Sequence, residues 1–346
     1  MAGTVARAAR RAYLACMSEP SRFHAPAFLD SDRPAVPDLV VARGVVPFYL
    51  PDRPVRGRLV RLGKLADALL TRHDNPEPVT RLSGEALALV ASLATALKFR
   101  GSFSLQAKGD GPVGMLLADC TDAGALRFYA RAEPERLAAL LADGTMADGT
   151  MADGASPRAA ELLGRGYLAF TVDQGPQTER HQGIVAIEGE NLAEMALHYF
   201  ETSEQLRCWI RLACARTPDG WRASALVLER IAGGGGIAPD MAAAAQAEAW
   251  NTATILAQTV TDAELLDDAL APEDLLYRLF HTEGVAVDLA RALAYGCRCS
   301  RQRLAGILET FSVADLDHMA ADGRIVMTCE FCNTDFAFDR ADVREP

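Results

Sequence analysis

The sequence predicts an α+β fold: an antiparallel sheet covered by helices, then a helical linker and a small C-terminal four-cysteine module. Three observations predict it. Short alternating segments are interspersed with Ala- and Leu-rich runs from Val45 to about Arg230. Four consecutive glycines, Gly233–Gly236, precede a helix-prone stretch punctuated by acids. Four of the eight cysteines crowd into the last fifty residues. The first pattern is that of a sheet with helices packed on one face.

The 346 residues suffice for about two domains and a buried core. Half are hydrophobic and 23% charged, which excludes wholesale disorder. The net charge of −11 disfavours a phosphate-backbone binder, so no nucleic-acid partner is expected. No membrane partner is expected either, since no apolar run approaches the ~18–20 residues of a spanning helix. The basic start (Arg7, Arg10, Arg11) is followed by the apolar stretch Ala12–Met17, shorter than a secretory h-region. A cytoplasmic location is the default expectation. Residues 1–44, rich in Pro, Arg and Asp, read as a largely unstructured extension.

Residues 45–231 form the expected core. Gly57–Leu62 reads as a strand, and Leu65–Thr71 and Gly84–Leu97 as helices. Ser102–Ala107, Met115–Ala118 and Leu126–Ala130 alternate as strands do, and Tyr167–Val172 and Gly183–Ile187 form a further antiparallel pair. Asn191–Glu201 is helical, and Arg207–Ala215 and Ala223–Ile231 close the set as strands. The tandem repeat ADGTMADGTMADG (Ala142–Gly154) has no apolar face to bury and reads as a flexible insertion. Gly109–Gly114 (GDGPVG) matches a dinucleotide-binding pattern literally. Pro112 removes an N–H from any phosphate cradle, however, and strand-like residues follow where a helix is needed. It reads as a hairpin turn.

Residues 232–290 form the expected linker. Met241–Thr259 and Ala263–Leu270 are helical by composition, and Pro272 opens a further helix through Leu275, Leu276 and Leu279. Glu248, Asp262, Glu264, Asp267, Asp268, Glu273 and Asp274 punctuate it. Its apolar residues, Trp250, Leu256, Leu265, Leu266, Leu275 and Leu276, are expected to lie against the sheet.

Residues 291–346 hold the strongest signal. Cys297-Arg298-Cys299 is separated by 29 residues (300–328) from Cys329-Glu330-Phe331-Cys332. Two thiol pairs brought together by an intervening fold satisfy one tetrahedral zinc. Asn333 follows the second pair, where such a turn needs left-handed geometry. Arg301–Thr310 and Val313–Ala321 read as helices between the pairs. Arg298, Arg301 and Arg303 crowd the first pair, and positive neighbours favour thiolate over thiol. Four cysteines close the shell and leave no water position, so catalytic zinc is not expected, nor any other catalysis. His24, His73, His181, His198, His281 and His318 do not cluster, and His318 reads as surface. Cys120, Cys208 and Cys214 read as small buried hydrophobes, and Cys16 as an exposed thiol of the extension.

From Val45 onward the chain resembles the redox-regulated thirty-three-kilodalton chaperonin family (heat shock protein thirty-three). The resemblance is carried by LKFRGSFSLQAKGDGP (Leu97–Pro112), HQGIVAIEGE (His181–Glu190), YFETSEQL (Tyr199–Leu206), LYRLFHTEGV (Leu276–Val285) and the order of the cysteine pairs. It implies an ATP-independent holdase, inactive while reduced and holding one zinc on Cys297, Cys299, Cys329 and Cys332. It further implies that oxidation pairs Cys297 with Cys299 and Cys329 with Cys332, releasing the metal and unfolding module and linker. The oxidised form is then expected to dimerise, hold unfolded clients, and pass them to ATP-dependent foldases. The extension, the repeat and the four scattered cysteines depart from the family pattern. The rival readings are a zinc-ribbon nucleic-acid binder, a thiol oxidoreductase using Cys329 and Cys332, and a purely structural zinc beside a core that binds something else.

Overall fold

A computed structural model describes residues 39–96, 100–143, 157–174, 181–231 and 242–343. Most of the five-residue repeat, the glycine run, Cys16 and most of the N-terminal extension lie outside the described residues.

The core is built on β1 (Val40–Leu50), β2 (Val55–Arg61), β3 (Ser102–Gly109), β4 (Val113–Thr121), β5 (Ala125–Ala132), β6 (Gly166–Asp173), β7 (His181–Ala186), β8 (Cys208–Thr217) and β9 (Gly220–Arg230). Two strands from far downstream join it, β10 (Ala286–Val287) and β11 (Arg291–Tyr295). The strands run β7-β6-β3-β4-β5-β11-β1-β2-β9-β8, with β10 alongside β1. Neighbours are antiparallel except at the centre, where β11 pairs parallel with β5 through Ala294↔Ala125 and Tyr295↔Leu126. The first strand begins at Val40, ahead of the expected Val45, because Val40 and Val41 pair with Ala294 and Leu293 of β11. No local pattern announces a partner so distant. The GDGPVG segment forms the β3–β4 hairpin turn, as the proline requires; Asp110 Oδ1 accepts from the Arg165 N–H at 2.7 Å.

Helices α1 (Lys64–Leu70), α2 (Glu77–Ala96), α3 (Pro134–Asp143), α4 (Ala159–Leu163) and α5 (Leu192–Tyr199) complete the core. Along α2, Val79, Leu82, Leu87, Val90 and Leu93 share one apolar cluster with Leu105, Leu116 and Phe128 of the sheet. Helix α2 starts seven residues before the expected Gly84. That glycine opens nothing: it lies inside the helix, where a Cβ would stand 2.3 Å from Cys214 Sγ. Asn191 caps α5 by accepting from the Glu194 N–H at 3.0 Å. The chain then widens into a π-helical turn, Phe200–Glu204.

The linker comprises α6 (Ala243–Gln258), α7 (Asp262–Leu266) and α8 (Pro272–Phe280). Pro272 stands at the first position of α8, where its missing N–H costs nothing. The helices bury Ala253, Ala257, Leu265, Leu275, Leu276, Leu279 and Phe280 against Val46, Phe48, Leu50, Leu59, Leu226 and Leu228, with Trp250, Leu256 and Leu266 packed at the margin. Phe280 stacks on Phe48 with ring centroids 5.5 Å apart. The sheet, expected to be covered on one face, is thus covered on both over its β1-β2-β9-β8 half. This explains why β9 (GWRASALVLER) shows no alternation in burial: it is buried almost end to end.

The linker acids are not simply solvated. Asp268 pairs with Arg222 at 2.6 Å, Asp262 with Arg211 at 2.7 Å, and Glu283 with Arg53 at 2.9 Å. Glu273 meets Arg43, and the buried Arg61 guanidinium donates to the Glu264 carbonyl at 2.7 Å and to the Leu270 carbonyl. Exposed pairs of this kind contribute only ~0–1 kcal/mol each. Arg61 and Arg222 are buried, so replacing a linker partner is costly there. Arg61 would lose its carbonyl acceptors, and Arg222 its counter-charge, keeping only the Asp219 and Trp221 carbonyls.

Glu229, buried on β9, accepts from Arg58 at 2.5 Å and Arg56 at 2.7 Å. Burial alone would raise its pKa, but the two guanidiniums outweigh burial and hold it below the usual carboxylate range. The folded value therefore lies below the unfolded one. The stabilisation is fully present above the unfolded value, ~4.3, and fades as pH falls through the folded value. Glu229→Gln should cost about 3 kcal/mol at pH 7, leaving Arg58 buried and unneutralised. In denaturant melts at pH 7, 5, 4 and 3, the gap to wild type should narrow toward low pH. A gap independent of pH would refute this.

Candidate metal centre

The two cysteine pairs are carried by the central sheet and by a small hairpin. Strand β11 leads directly into Cys297 and Cys299, so the first pair hangs from the central sheet. Ser300 then caps α9 (Arg301–Leu308), accepting from the Arg303 N–H at 3.2 Å. Ser312 caps α10 (Val313–Met319) in the same way through Asp315. The hairpin β12 (Arg324–Cys329) and β13 (Thr334–Asp339) presents the second pair on its turn. There the Cys332 and Asn333 N–H groups donate to the Cys329 carbonyl at 3.2 and 2.7 Å. Asn333 adopts the left-handed conformation (φ 50°) that the turn requires, as its position predicted.

The four sulfurs of Cys297, Cys299, Cys329 and Cys332 lie within 4.8 Å of one another, all buried. The separations are 3.2 Å for Cys297–Cys299, 3.6 Å for Cys297–Cys329 and 3.5 Å for Cys299–Cys332. A disulfide would need about 2.05 Å. A tetrahedral ion with ~2.3 Å metal–sulfur bonds spans an edge of about 3.8 Å, so the cluster fits one ion. Hydrogen bonds among the four sulfurs couple their titration, lowering the Cys329 and Cys332 thiols at the expense of Cys297 and Cys299, which are raised. The donor set is all sulfur, which suits a thiophilic divalent metal in a closed shell.

The three arginines expected to supply positive charge are placed unequally. The Arg298 guanidinium turns to the core and pairs with Asp119. Arg301 donates to the Ala337 carbonyl at 2.7 Å and lies 4.5 Å from the Phe338 ring centroid. Arg303 and His318 are exposed. Cys120 and Cys214 are buried, as expected of structural thiols. Cys208 is only half-buried, and burial pushes its thiol up to about 12.

Core residues that sequence reasoning missed grip the C-x-x-C turn. His73 Nε2 lies 3.3 Å from the Phe331 carbonyl, and Asn333 Nδ2 donates to the Arg72 carbonyl at 3.0 Å. Arg127 lies over the Phe331 ring, 4.1 Å from its centroid. Asp119 and Arg127 face each other across the β4–β5 ladder. The one available signal was a charge in each of two otherwise apolar strands, LLADC and LRFYA.

A sheet covered by helices, carrying a compact module organised around four converging thiols, defines a protein in which a candidate metal centre is mounted on a larger core. The comparisons specify which. The Hsp33 protein family model matches residues 44–339. A 33 kDa chaperonin of Caulobacter vibrioides is 40% identical over 309 residues, spanning 88% of this chain and 97% of the relative. One from Ectopseudomonas mendocina is 35% identical over 302 residues, spanning 86% and 92%. The crystal structure of the 33 kDa chaperonin from Thermotoga maritima shares the fold, with a TM-score of 0.68 at 21% identity over 87% of this chain and 96% of that one. The chain belongs to the Hsp33 family. Among the described residues no helix is long and apolar enough to cross a membrane.

Proposed function

We propose that this chain is a redox-regulated, ATP-independent holdase whose switch is the four-cysteine centre. The observation that carries the reading is the convergence of four buried thiols directly after β11, a strand of the core sheet, with the linker helices packed on an apolar face of that same sheet. In the reduced state Cys297, Cys299, Cys329 and Cys332 hold one zinc as thiolates. Bound zinc supplies the covalent cross-links that a module of about fifty residues cannot replace with core alone.

Oxidation by a peroxide joins Cys297 to Cys299 and Cys329 to Cys332. Each pair gives up two electrons to one peroxide, whose oxygens leave as two waters after taking up two protons. With no thiolates left, the metal departs and the module loses its order. The linker follows, uncovering Val46, Phe48, Leu59, Leu226 and Leu228 for unfolded clients. Dimerisation of the oxidised chain, hand-over to ATP-dependent foldases and a cytoplasmic location complete the reading, which assigns no catalytic activity.

The test is light scattering from a thermally unfolding client. Peroxide-treated chain at mildly elevated temperature should suppress aggregation at near-stoichiometric amounts, whereas reduced, zinc-loaded chain should not. Equal scattering in the two samples would leave the metal as a structural staple.

A further inference from the structure

We propose that Asp119 is the positioning residue that ties both halves of the metal centre to the core and sets how readily the centre yields its metal to an oxidant. The inference rests on the reading of the four cysteines as a zinc switch. Asp119 lies on β4, only 5% exposed, in a strand whose neighbours are apolar. Its Oδ1 is shared by two guanidiniums. One belongs to Arg127, the cross-strand partner, at 3.3 Å. The other belongs to Arg298, the residue between Cys297 and Cys299. Arg127 in turn covers the ring of Phe331, which lies between Cys329 and Cys332. One buried carboxylate is thereby joined to the middle of each cysteine pair.

The physical consequence is a coupling. While the centre is assembled, the carboxylate is neutralised and both thiol pairs are pinned against β4 and β5. If the module departs, Arg298 and Phe331 leave with it. Asp119 then keeps a single partner, and Arg127 loses the ring that covered it. A buried charge stripped of a hydrogen-bonding counter-charge is expensive, so the anchor opposes disassembly. Among the described residues Arg298 Nε is buried without a hydrogen-bond partner, and Asp119 is the carboxylate that neutralises that guanidinium.

The full chain, reduced and zinc-loaded, would be treated with peroxide and zinc release followed with a chromogenic chelator. Asp119→Asn should still hold one zinc before oxidation, since its four thiolates are intact, yet release it about tenfold faster, the scale of one hydrogen bond to a charged group. Arg298→Gln should behave alike. The double variant should be no faster than the faster single one, because both remove the same contact. Leu116→Ala, a core truncation on the same strand, controls for general destabilisation and should stay within about twofold of wild type. Should Asp119→Asn fail to fold, Arg298→Gln carries the test, because Arg127 still neutralises the carboxylate. Release at the wild-type rate, equal acceleration by Leu116→Ala, or multiplied effects in the double variant would each overturn the anchor. A wild-type chain that binds no zinc would overturn the switch as well, whereas equal rates from zinc-loaded chains overturn the anchor alone.

Discussion

A Cys332→Ser chain should bind zinc at least about a hundredfold more weakly and lose the hydrogen-exchange protection of residues 297–343 even under reducing conditions. Even partners in the outer shell of a metal site are worth about 10- to 100-fold in affinity, and Cys332 would be a direct ligand. Its side chain is fully buried among the other three sulfurs, and a serine hydroxyl is a much poorer ligand than a thiolate for a thiophilic metal. Structural zinc sites contribute ~10–16 kcal/mol to folding, as much as the gross burial of the module's few apolar side chains at ~1.5–3 kcal/mol each, which the entropy of ordering the chain largely offsets. Those residues are chiefly Leu308, Leu316, Ile325, Phe336 and Phe338. Competition against a chelator gives the affinity, and exchange mass spectrometry gives the protection. Tight one-to-one binding with unchanged protection would remove Cys332 from the ligand set.

The second large effect is expected at the other end of the coupling. Phe280→Ala removes a fully buried ring that stacks on Phe48 at the centre of the linker–sheet contact. Such a truncation costs ~3–5 kcal/mol, or about 10² to several 10³ in the equilibrium between docked and free linker. Amides of α6 to α8 should lose protection by that factor, while zinc content stays at one per chain because no thiol is disturbed. On the holdase reading, this reduced, zinc-loaded variant should already suppress client aggregation. An undocked linker with no gain in suppression would show that the uncovered sheet face does not hold clients. That result would leave the metal centre intact and refute the proposed route from linker to activity.

Much of the candidate site was legible from spacing alone. The C-x-C and C-x-x-C pairs, the left-handed Asn333 and the two helices between the pairs are all local features, as are the Ser300 and Ser312 caps that the structure adds. A cap is set by residues three positions apart, and a knuckle by four or five, so neighbours in sequence suffice. The linker was legible for the same reason: Pro272 and the spacing of Leu275, Leu276 and Leu279 describe an amphipathic helix wherever it packs.

Other features depend on which distant segments meet. That β11 enters the middle of the sheet, parallel to β5 and beside β1, is a register between strands far apart in the chain, and alternation cannot encode it. The same holds for β9, whose continuous burial follows from helices on both faces, one set coming from the linker. The acids at 262, 268, 273 and 283 look like an ordinary solvated face until the arginines of the sheet are placed opposite them. Asp119 shows the difference most clearly. As a residue it is one charge in an apolar strand, and only the approach of Arg298 from the cysteine module turns it into a link between core and metal centre. Thiol pairs, turns and helix faces are properties of short segments, which is why they could be read from residue order. Tertiary structure alone decided what they are fastened to, because burial and charge pairing arise only when surfaces remote in the chain are brought into contact.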